Sequence, residues 1–353
     1  MSYDTYLYVT CNMKKEIFLF MFFLVLLNSC IKNSKTDFVH ANELSNNTTK
    51  IIDRLIEYGE ITGPFVGESG SKPEQWDNFI EFKKNATEQE LVLLIQHPHP
   101  VIKCYSFDLL VRKQNKNTFE ILKSSLTDSS AVYTQYGCIG DKTQVNDYFI
   151  RSVLGFGPKN EYITDKQNKI LDSLILFQPN IISEYKNSLL ETIEPKKENY
   201  NRIRNIALNG NKFAVIGLAK YQKIDDFKLI DTLLHHEYYS IQEFGLRAVK
   251  NYPDKVFWNS IKNIHLKQIK KSGSFNYRLI KELYQALVQY KNPESRELLD
   301  LTLNQATKSA MKYHKEYIWV ALKKYPDKIY DGIIEKMNYS EYELNNLEYE
   351  WDL

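Results

Sequence analysis

Two stretches, "AVKNYPDKVFW" from Ala248 to Trp258 and "ALKKYPDKIYD" from Ala321 to Asp331, are nearly the same sentence. Between them lies "ALVQYKNPESREL" from Ala286, and before them "GLAKYQKIDDFKL" from Gly217. Aligned on Tyr221, Tyr252, Tyr290 and Tyr325, the steps are 31, 38 and 35 residues. Recurrence at such a period predicts copies of one supersecondary unit, stacked side by side.

Each copy reads as two helices. Ile241, Phe244, Gly245, Ala248, Val249 and Tyr252 fall at i, i+3, i+4, i+7, i+8 and i+11, a helical stripe. Pro253 ends that helix, because the residue before a proline is pushed out of the α region. Phe257, Ser260, Ile261 and Ile264 carry the stripe of the second helix. The later copy repeats this with Ile318, Ala321, Leu322 and Tyr325, then Tyr330, Ile333, Ile334 and Met337. A lone pair cannot bury its apolar face, and stacking makes the core continuous. The expected repeat core is therefore Tyr221, Ile241, Phe244, Ala248, Tyr252, Tyr290, Ala321 and Tyr325, with the alanines and Gly245 allowing close helix approach.

The amino-terminal half shows the same grammar. "LVLLIQHPHPVIKCYSFDLLVRK" from Leu91 reads as helix, turn at His97–Pro100, helix. "FEILKSSLTDSSAVYTQYGCIGDKTQVNDYFI" from Phe119 repeats it, with Asp128 or Ser129 as N-cap. No strand-like alternation is sustained, so the expected class is all-α. The short Pro- or Asp-containing turn, followed by Val101 and Lys103 or, less faithfully, Val132 and Tyr133, resembles bacterial HEAT-like repeats over 87–337. The steps are shorter than the ~40–47 residues of the standard unit and near the 34 of tetratricopeptide repeats, whose Trp, Leu-Gly, Tyr and Pro pattern is absent. The resemblance implies an α-solenoid of helix-turn-helix repeats. Residues 155–200 are less regular and read as an insertion or a longer helix pair. Residues 51–86 read as an amino-terminal helical cap, and 338–353 as a cap on the last repeat or a partner-binding tail.

"KKEIFLFMFFLVLLNSCIKN", Lys14 to Asn33, concerns address. Its apolar run, Ile17 to Leu27, has eleven residues, against about 20 for a membrane-spanning helix. Two lysines before it and small residues after it follow the order of a secretory signal, with Met13 as the true start. Leu27-Asn28-Ser29-Cys30 resembles the bacterial lipobox, although Asn28 departs from its usual occupant. The resemblance implies cleavage between Ser29 and Cys30, a diacylglyceryl thioether on Cys30 and acylation of the new amino terminus. That covalent lipid is the only cofactor implied, and an ordinary signal peptide with an incidental cysteine is the alternative. Residues 1–29 are then signal, and 30–50, polar and rich in Asn, Ser and Thr, a flexible tether. No acidic cluster follows Cys30, which favours the outer membrane facing the periplasm over the cell surface.

Cleavage leaves about 324 residues, enough for a large core or an extended array. The 46 basic and 44 acidic residues nearly balance, so no footprint for nucleic acid exists. Tyrosine is abundant, 25 residues, which reads as the codon bias of an AT-rich genome before it reads as a binding surface. "GPFVGESGSKPEQW" from Gly63 fails as a phosphate-binding loop: Ser71, Val66 and Pro73 stand where Gly, Gly and Ser or Thr are required around Lys72. It reads instead as a turn entering a helix at Pro73–Glu74. His97, His99 and Cys104 lack a fourth ligand and splay across Pro98, and His235-His236-Glu237 sits in a similar turn, so neither predicts a metal. Cys104 and Cys138 are either a disulfide or two small buried residues; equivalent helices pack ~8–10 Å apart, whereas a disulfide needs Cα atoms within about 7 Å. No motif for nucleophilic or metal-assisted hydrolysis stands out. The function expected is an anchored protein-binding scaffold with the bilayer and another envelope protein as partners. An enzyme or enzyme subunit is one alternative, marked by a pocket with perturbed titratable groups. A structural, assembly or immunity-type envelope protein is another.

Overall fold

A computed structural model describes residues 38–155, 162–271 and 275–351. The signal, Ser29 and Cys30 lie outside the described residues. The chain is mostly helical, with one three-stranded sheet, and divides into two compact units, 1–171 with 180–182 and 172–179 with 183–353. Among the described residues no helix is long and apolar enough to cross a membrane.

In the first unit, helix α1 (Asn46–Tyr58) starts inside the stretch expected to be tether. Ser45 caps it, its Oγ accepting the Thr48 amide at 3.2 Å, and Gly59 ends it at φ +82°, where a side chain would be strained. Thr48, Ile51, Ile52 and Leu55 are buried on one face, so the polar spelling "NNTTK" hides the first turn of an amphipathic helix. Strand β1 (Glu60–Val66) follows, then α2 (Glu74–Asn85), α3 (Glu88–Leu94), α4 (Pro100–Arg112) and α5 (Thr118–Ser125). Thr87 and Glu90 form a capping box on α3. Burial acts to raise the Glu90 carboxyl, but the amides of Thr87 and Ser45, each 2.8 Å away, hold it down at about 2 and tie α3 to the entrance of α1.

The expected second repeat of this half is not a helix pair. Ala131–Gly137 and Ile139–Gln144 are strands β2 and β3, and helix α6 begins only at Val145 and runs to Leu154. Asp128 is no N-cap: it accepts from the Ser130 amide and hydroxyl and pairs with Lys103 at 2.7 Å, turning the chain into β2. Tyr136 pairs with Ile139 across a two-residue turn, and Gly137 takes φ +58° at its first central position, the backbone a tight hairpin requires. β2 also runs parallel to β1, giving the order β1-β2-β3. The all-α expectation is corrected by this sheet, whose inward positions on β2 are Val132 and Thr134. Around it α4 packs against α1, α3, α5 and α6, and both β1 and β2 lie on α4. Phe107 and Phe149 stack at 3.9 Å in the core.

Cys104 is buried on α4 and Cys138 is exposed in the hairpin turn, both free, so neither the disulfide nor the pair of buried residues holds. Burial pushes the Cys104 thiol well up, whereas Cys138 Sγ lies at the surface 3.6 Å from the Gly67 carbonyl. Iodoacetamide is expected to modify Cys138 in the native protein and to spare Cys104 until denaturant is added. Peptide mapping that finds the two equally labelled before denaturation contradicts this packing.

Helix α7 (Asp165–Phe177) contains the unit boundary. In the second unit come α8 (Tyr185–Thr192), α9 (Tyr200–Leu208), α10 (Lys212–Ala219), α11 (Phe227–Leu234), α12 (Tyr239–Asn251), α13 (Trp258–Ile269), α14 (Tyr277–Leu287), α15 (Pro293–Gln305), α16 (Lys308–Lys324) and α17 (Glu341–Trp351). Helices α8, α10, α12, α14 and α16 pack in that order, each on the next. Helices α9, α11, α13 and α15 each pack on the helix that follows, and α11, α13 and α15 also touch in order. Successive helices thus alternate between two layers.

The recurring tyrosines have a definite task in this unit. Tyr221 donates to the Lys196 carbonyl at 2.8 Å, and Tyr290 to the Asp254 carbonyl at 3.0 Å. Lys196 and Asp254 each precede a single 3₁₀ turn, Lys197–Asn199 and Lys255–Phe257, that leads into the next helix. The hydroxyl therefore ties the end of one helix, α10 or α14, to the entry turn of the helix before it, α9 or α13. Ala248 and Ala321 are buried, and all four tyrosines pack half-buried against the core. Ile241 and Phe244 do not sit at its centre: the buried residues of α12 are Gly245, Leu246, Ala248 and Val249. Phe244 instead meets Phe213 edge-on at 4.9 Å, beneath the Arg247 guanidinium. The carboxy-terminal helix α17 packs on α16, with Trp351 edge-on to Tyr317 and donating to Glu316 at 3.2 Å.

Candidate ligand-binding site

Three helices of the first unit present functional side chains at helical spacing toward one hollow beside the sheet. On α2 these are Trp76 and Phe79; on α4, Tyr105, Asp108, Val111 and Arg112; on α6, Tyr148, Arg151 and Ser152. Positions three and four apart share a helix face, so each set forms one stripe. Strand β1 closes the hollow with Thr62, Gly63 and Pro64, β2 adds Tyr136, and Gly155 and Tyr162 complete the rim. The cavity has a volume of about 350 Å³, within the range of about 300–1,000 Å³ typical of small-molecule sites.

The walls are aromatic and the ring contacts fix them. Phe79 stacks on Tyr105 at 4.7 Å, and Trp76 tilts against Phe79 at 5.3 Å. Tyr105 accepts the Thr62 amide at 3.0 Å, which joins α4 to β1 and leaves the phenol its own proton to donate. Tyr136 and Tyr148 share a hydrogen bond, and burial pushes both hydroxyls above the ordinary phenol range, Tyr148 furthest. Burial does the same to Tyr105. At neutral pH these groups are therefore hydrogen-bond donors. Gly63 is required for the shape, since a Cβ there would stand 3.0 Å from the Tyr136 ring.

The charged groups are Asp108, Arg112 and Arg151. Asp108 Oδ2 accepts from Arg112 Nε at 2.7 Å, one turn along α4. Arg151 has no carboxylate partner among the described residues, and it lowers the cost of negative charge at Tyr136. Thr62 is 1% exposed, and its hydroxyl is buried beside Tyr105. The site thus combines stacking surface with an excess of donors.

None of the histidine or cysteine groups singled out by spacing lines this cavity. His97 is buried, its ring 4.9 Å from Phe38, and its Nδ1 accepts the His99 amide at 3.0 Å. Burial drives its imidazole down to about 4. His99 caps α4 by position, and His235 pairs with Asp231 at the end of α11. Among the described residues no three His, Cys, Asp or Glu side chains gather as a metal site. The residues that do gather went unmarked because they are spread over three helices and two strands far apart in sequence. The available signal was local: five tyrosines and two arginines from Tyr105 to Tyr162, in a chain whose tyrosines were read as codon bias. No family model, curated protein or solved structure matches this chain.

Proposed function

We propose that this chain is a lipid-anchored binding protein of the bacterial cell envelope, whose first unit holds a small ring-bearing molecule. The aromatic cavity with donors around its rim carries the proposal. Stacked rings supply sequence-tolerant contact to a flat ligand, and the few polar groups orient it. The raised phenols stay protonated and can donate hydrogen bonds to a bound molecule; as perturbed titratable groups in a pocket, they are also the mark of the enzyme alternative. In this proposal Cys30, cleaved from Ser29, carries the anchor, at the outer membrane facing the periplasm. The alternating layers of 183–353 support a HEAT-like α-solenoid that docks a second envelope protein.

Calorimetric titration of the chain with benzoate, benzamide, benzylamine and glucose tests the cavity. At least one is expected to bind saturably, and Ser152→Trp to weaken it at least tenfold by filling the hollow. Ser152 is half-exposed and bonds only the Tyr148 carbonyl of its own helix, at 2.9 Å, so the variant keeps the core. Four flat titrations, or binding untouched by Ser152→Trp, overturn the proposal.

A further inference from the structure

We infer that the ligand of the aromatic cavity is a ring-bearing monocarboxylate whose carboxylate sits on Arg151. The inference rests on the cavity's being a binding site and adds the charge and class of what it binds. Around the hollow stand two guanidiniums and one carboxylate. The carboxylate, Asp108, is taken by Arg112 at 2.7 Å. That leaves the positive charge of Arg151 without a carboxylate partner among the described residues, on the helix face that also carries Tyr148 and Ser152. Arg151 is half-buried at the hollow, and an anion bound there meets its charge where water is partly excluded.

The surrounding polar groups are of one kind. The Tyr136 hydroxyl, protonated and hydrogen-bonded with Tyr148, lies within reach of the guanidinium's charge, and the buried Thr62 stands on β1 at the same hollow. A carboxylate presents two acceptor oxygens in the plane that matches the guanidinium fork. Among the described residues one positive charge is left without a carboxylate, which balances a monoanion, whereas a phosphate dianion would carry a second charge into the aromatic hollow. A cationic ligand would meet the free charge of Arg151 directly. The rings of Trp76, Phe79 and Tyr105 then take the cyclic body of the ligand, by stacking on an aromatic or on the C–H face of a saturated ring.

Two acid–amide pairs test the inference on the intact chain by calorimetry: benzoate with benzamide, and glucuronate with glucuronamide. Phenyl phosphate and benzylamine serve as the dianion and the cation. The expected result is that at least one acid binds tenfold or more tightly than its own amide and than either other ion. Arg151→Met, which keeps the stem of the side chain, is expected to erase the acid's advantage. Folding of the variant is checked separately by its circular dichroism spectrum and thermal unfolding midpoint, which should match the parent's. If amides, the amine or phenyl phosphate bind as well as the acids and Ser152→Trp abolishes that binding, the cavity stands and the carboxylate inference falls. If an acid keeps its advantage in Arg151→Met, the seat is wrong. If no ring compound binds, both readings fall together.

Discussion

Gly217→Ala is expected to destabilise the 183–353 helices by about 3 kcal/mol or more, at the upper end of what overpacked cores show. A Cβ at Gly217 would lie 2.2 Å from the Leu190 carbonyl oxygen and 3.1 Å from Ile193 Cγ2. The obstacle is backbone of α8, so no rotamer change relieves it and α10 must move. Movement of α10 also pulls on Tyr221 and its bond to the Lys196 carbonyl. Alanine returns only about 1 kcal/mol of helix propensity relative to glycine, which does not offset the clash. Gly245→Ala is the internal comparison. Its Cβ would meet Leu234 N at 2.8 Å, but the other close atoms, Leu234 Cγ and Cδ2 at 3.0 Å, belong to a side chain that can yield. The expected order of loss is therefore Gly217 first and Gly245 second. For a unit of this size each kcal/mol lowers Tm by roughly 2–4 °C, so a fall of roughly 6–12 °C in thermal unfolding is expected for Gly217→Ala. A melting curve within about 2 °C of the parent's, roughly 0.5–1 kcal/mol, contradicts the close approach.

The same glycine shows how much the repeated sentence contained. Tyrosine, proline and the turn after it marked helix ends correctly, since proline restricts its predecessor whatever the tertiary context. The tyrosine spacing also found a real contact, although only the folded chain shows that Tyr221 and Tyr290 act through their hydroxyls. Periodicity could not choose between neighbouring faces of α12. Ile241 and Phe244 satisfy the i, i+3, i+4 rule, yet Leu246 occupies the core and Phe244 lies to its side against Phe213. An aromatic ring on a half-buried flank stabilises as well as one inside, so the stripe alone is ambiguous by about one position.

The sheet was illegible for a related reason. Its period of two is carried on β2 by Val132 and Thr134, with Tyr133 outside, and threonine reads as polar although it buries readily on a pleated surface. β1 contains Gly63 and Pro64, residues that suppress a strand reading. The cavity depends on that sheet, because Thr62, Gly63 and Tyr136 are its sheet-borne walls. Misreading Ala131–Gln144 as helix therefore removed both the strand and the site. Local patterns could find the stripes on α2, α4 and α6 separately, but only the β1–β2 pairing brings Thr62 and Tyr136 to the same hollow.

Acid is expected to loosen the second unit well before its carboxylates titrate. His265 on α13 and His314 on α16 are fully buried and joined through Tyr284 and Thr302. His265 Nε2 lies 2.7 Å from Thr302 Oγ1, Tyr284 OH lies 2.7 Å from His314 Nδ1, and Thr302 donates to the Leu298 carbonyl at 3.0 Å. Phe275 covers His314 edge-on at 5.2 Å. Burial drives both imidazoles from 6.5 to about 4, and His314 opposes the charging of His265 further. In the unfolded chain both titrate near 6.5. Between those values the unfolded state binds protons that the native state refuses, so stability is complete above pH 6.5 and falls as the pH drops toward 4. At 1.36 kcal/mol per pH unit, each histidine withdraws about 3 kcal/mol by pH 4. Hydrogen exchange of the α13–α16 peptides at pH 7, 5.5 and 4.5, corrected for intrinsic rates, is expected to show protection lost along that slope. His265→Leu removes one titrating group while Thr302 keeps its bond to Leu298, and is expected to flatten the slope by about half. A slope unchanged by His265→Leu, or protection that persists to pH 4.5 in the parent, means that the two imidazoles are not held neutral. The four-helix network would then be a set of ordinary core contacts with no bearing on acid stability.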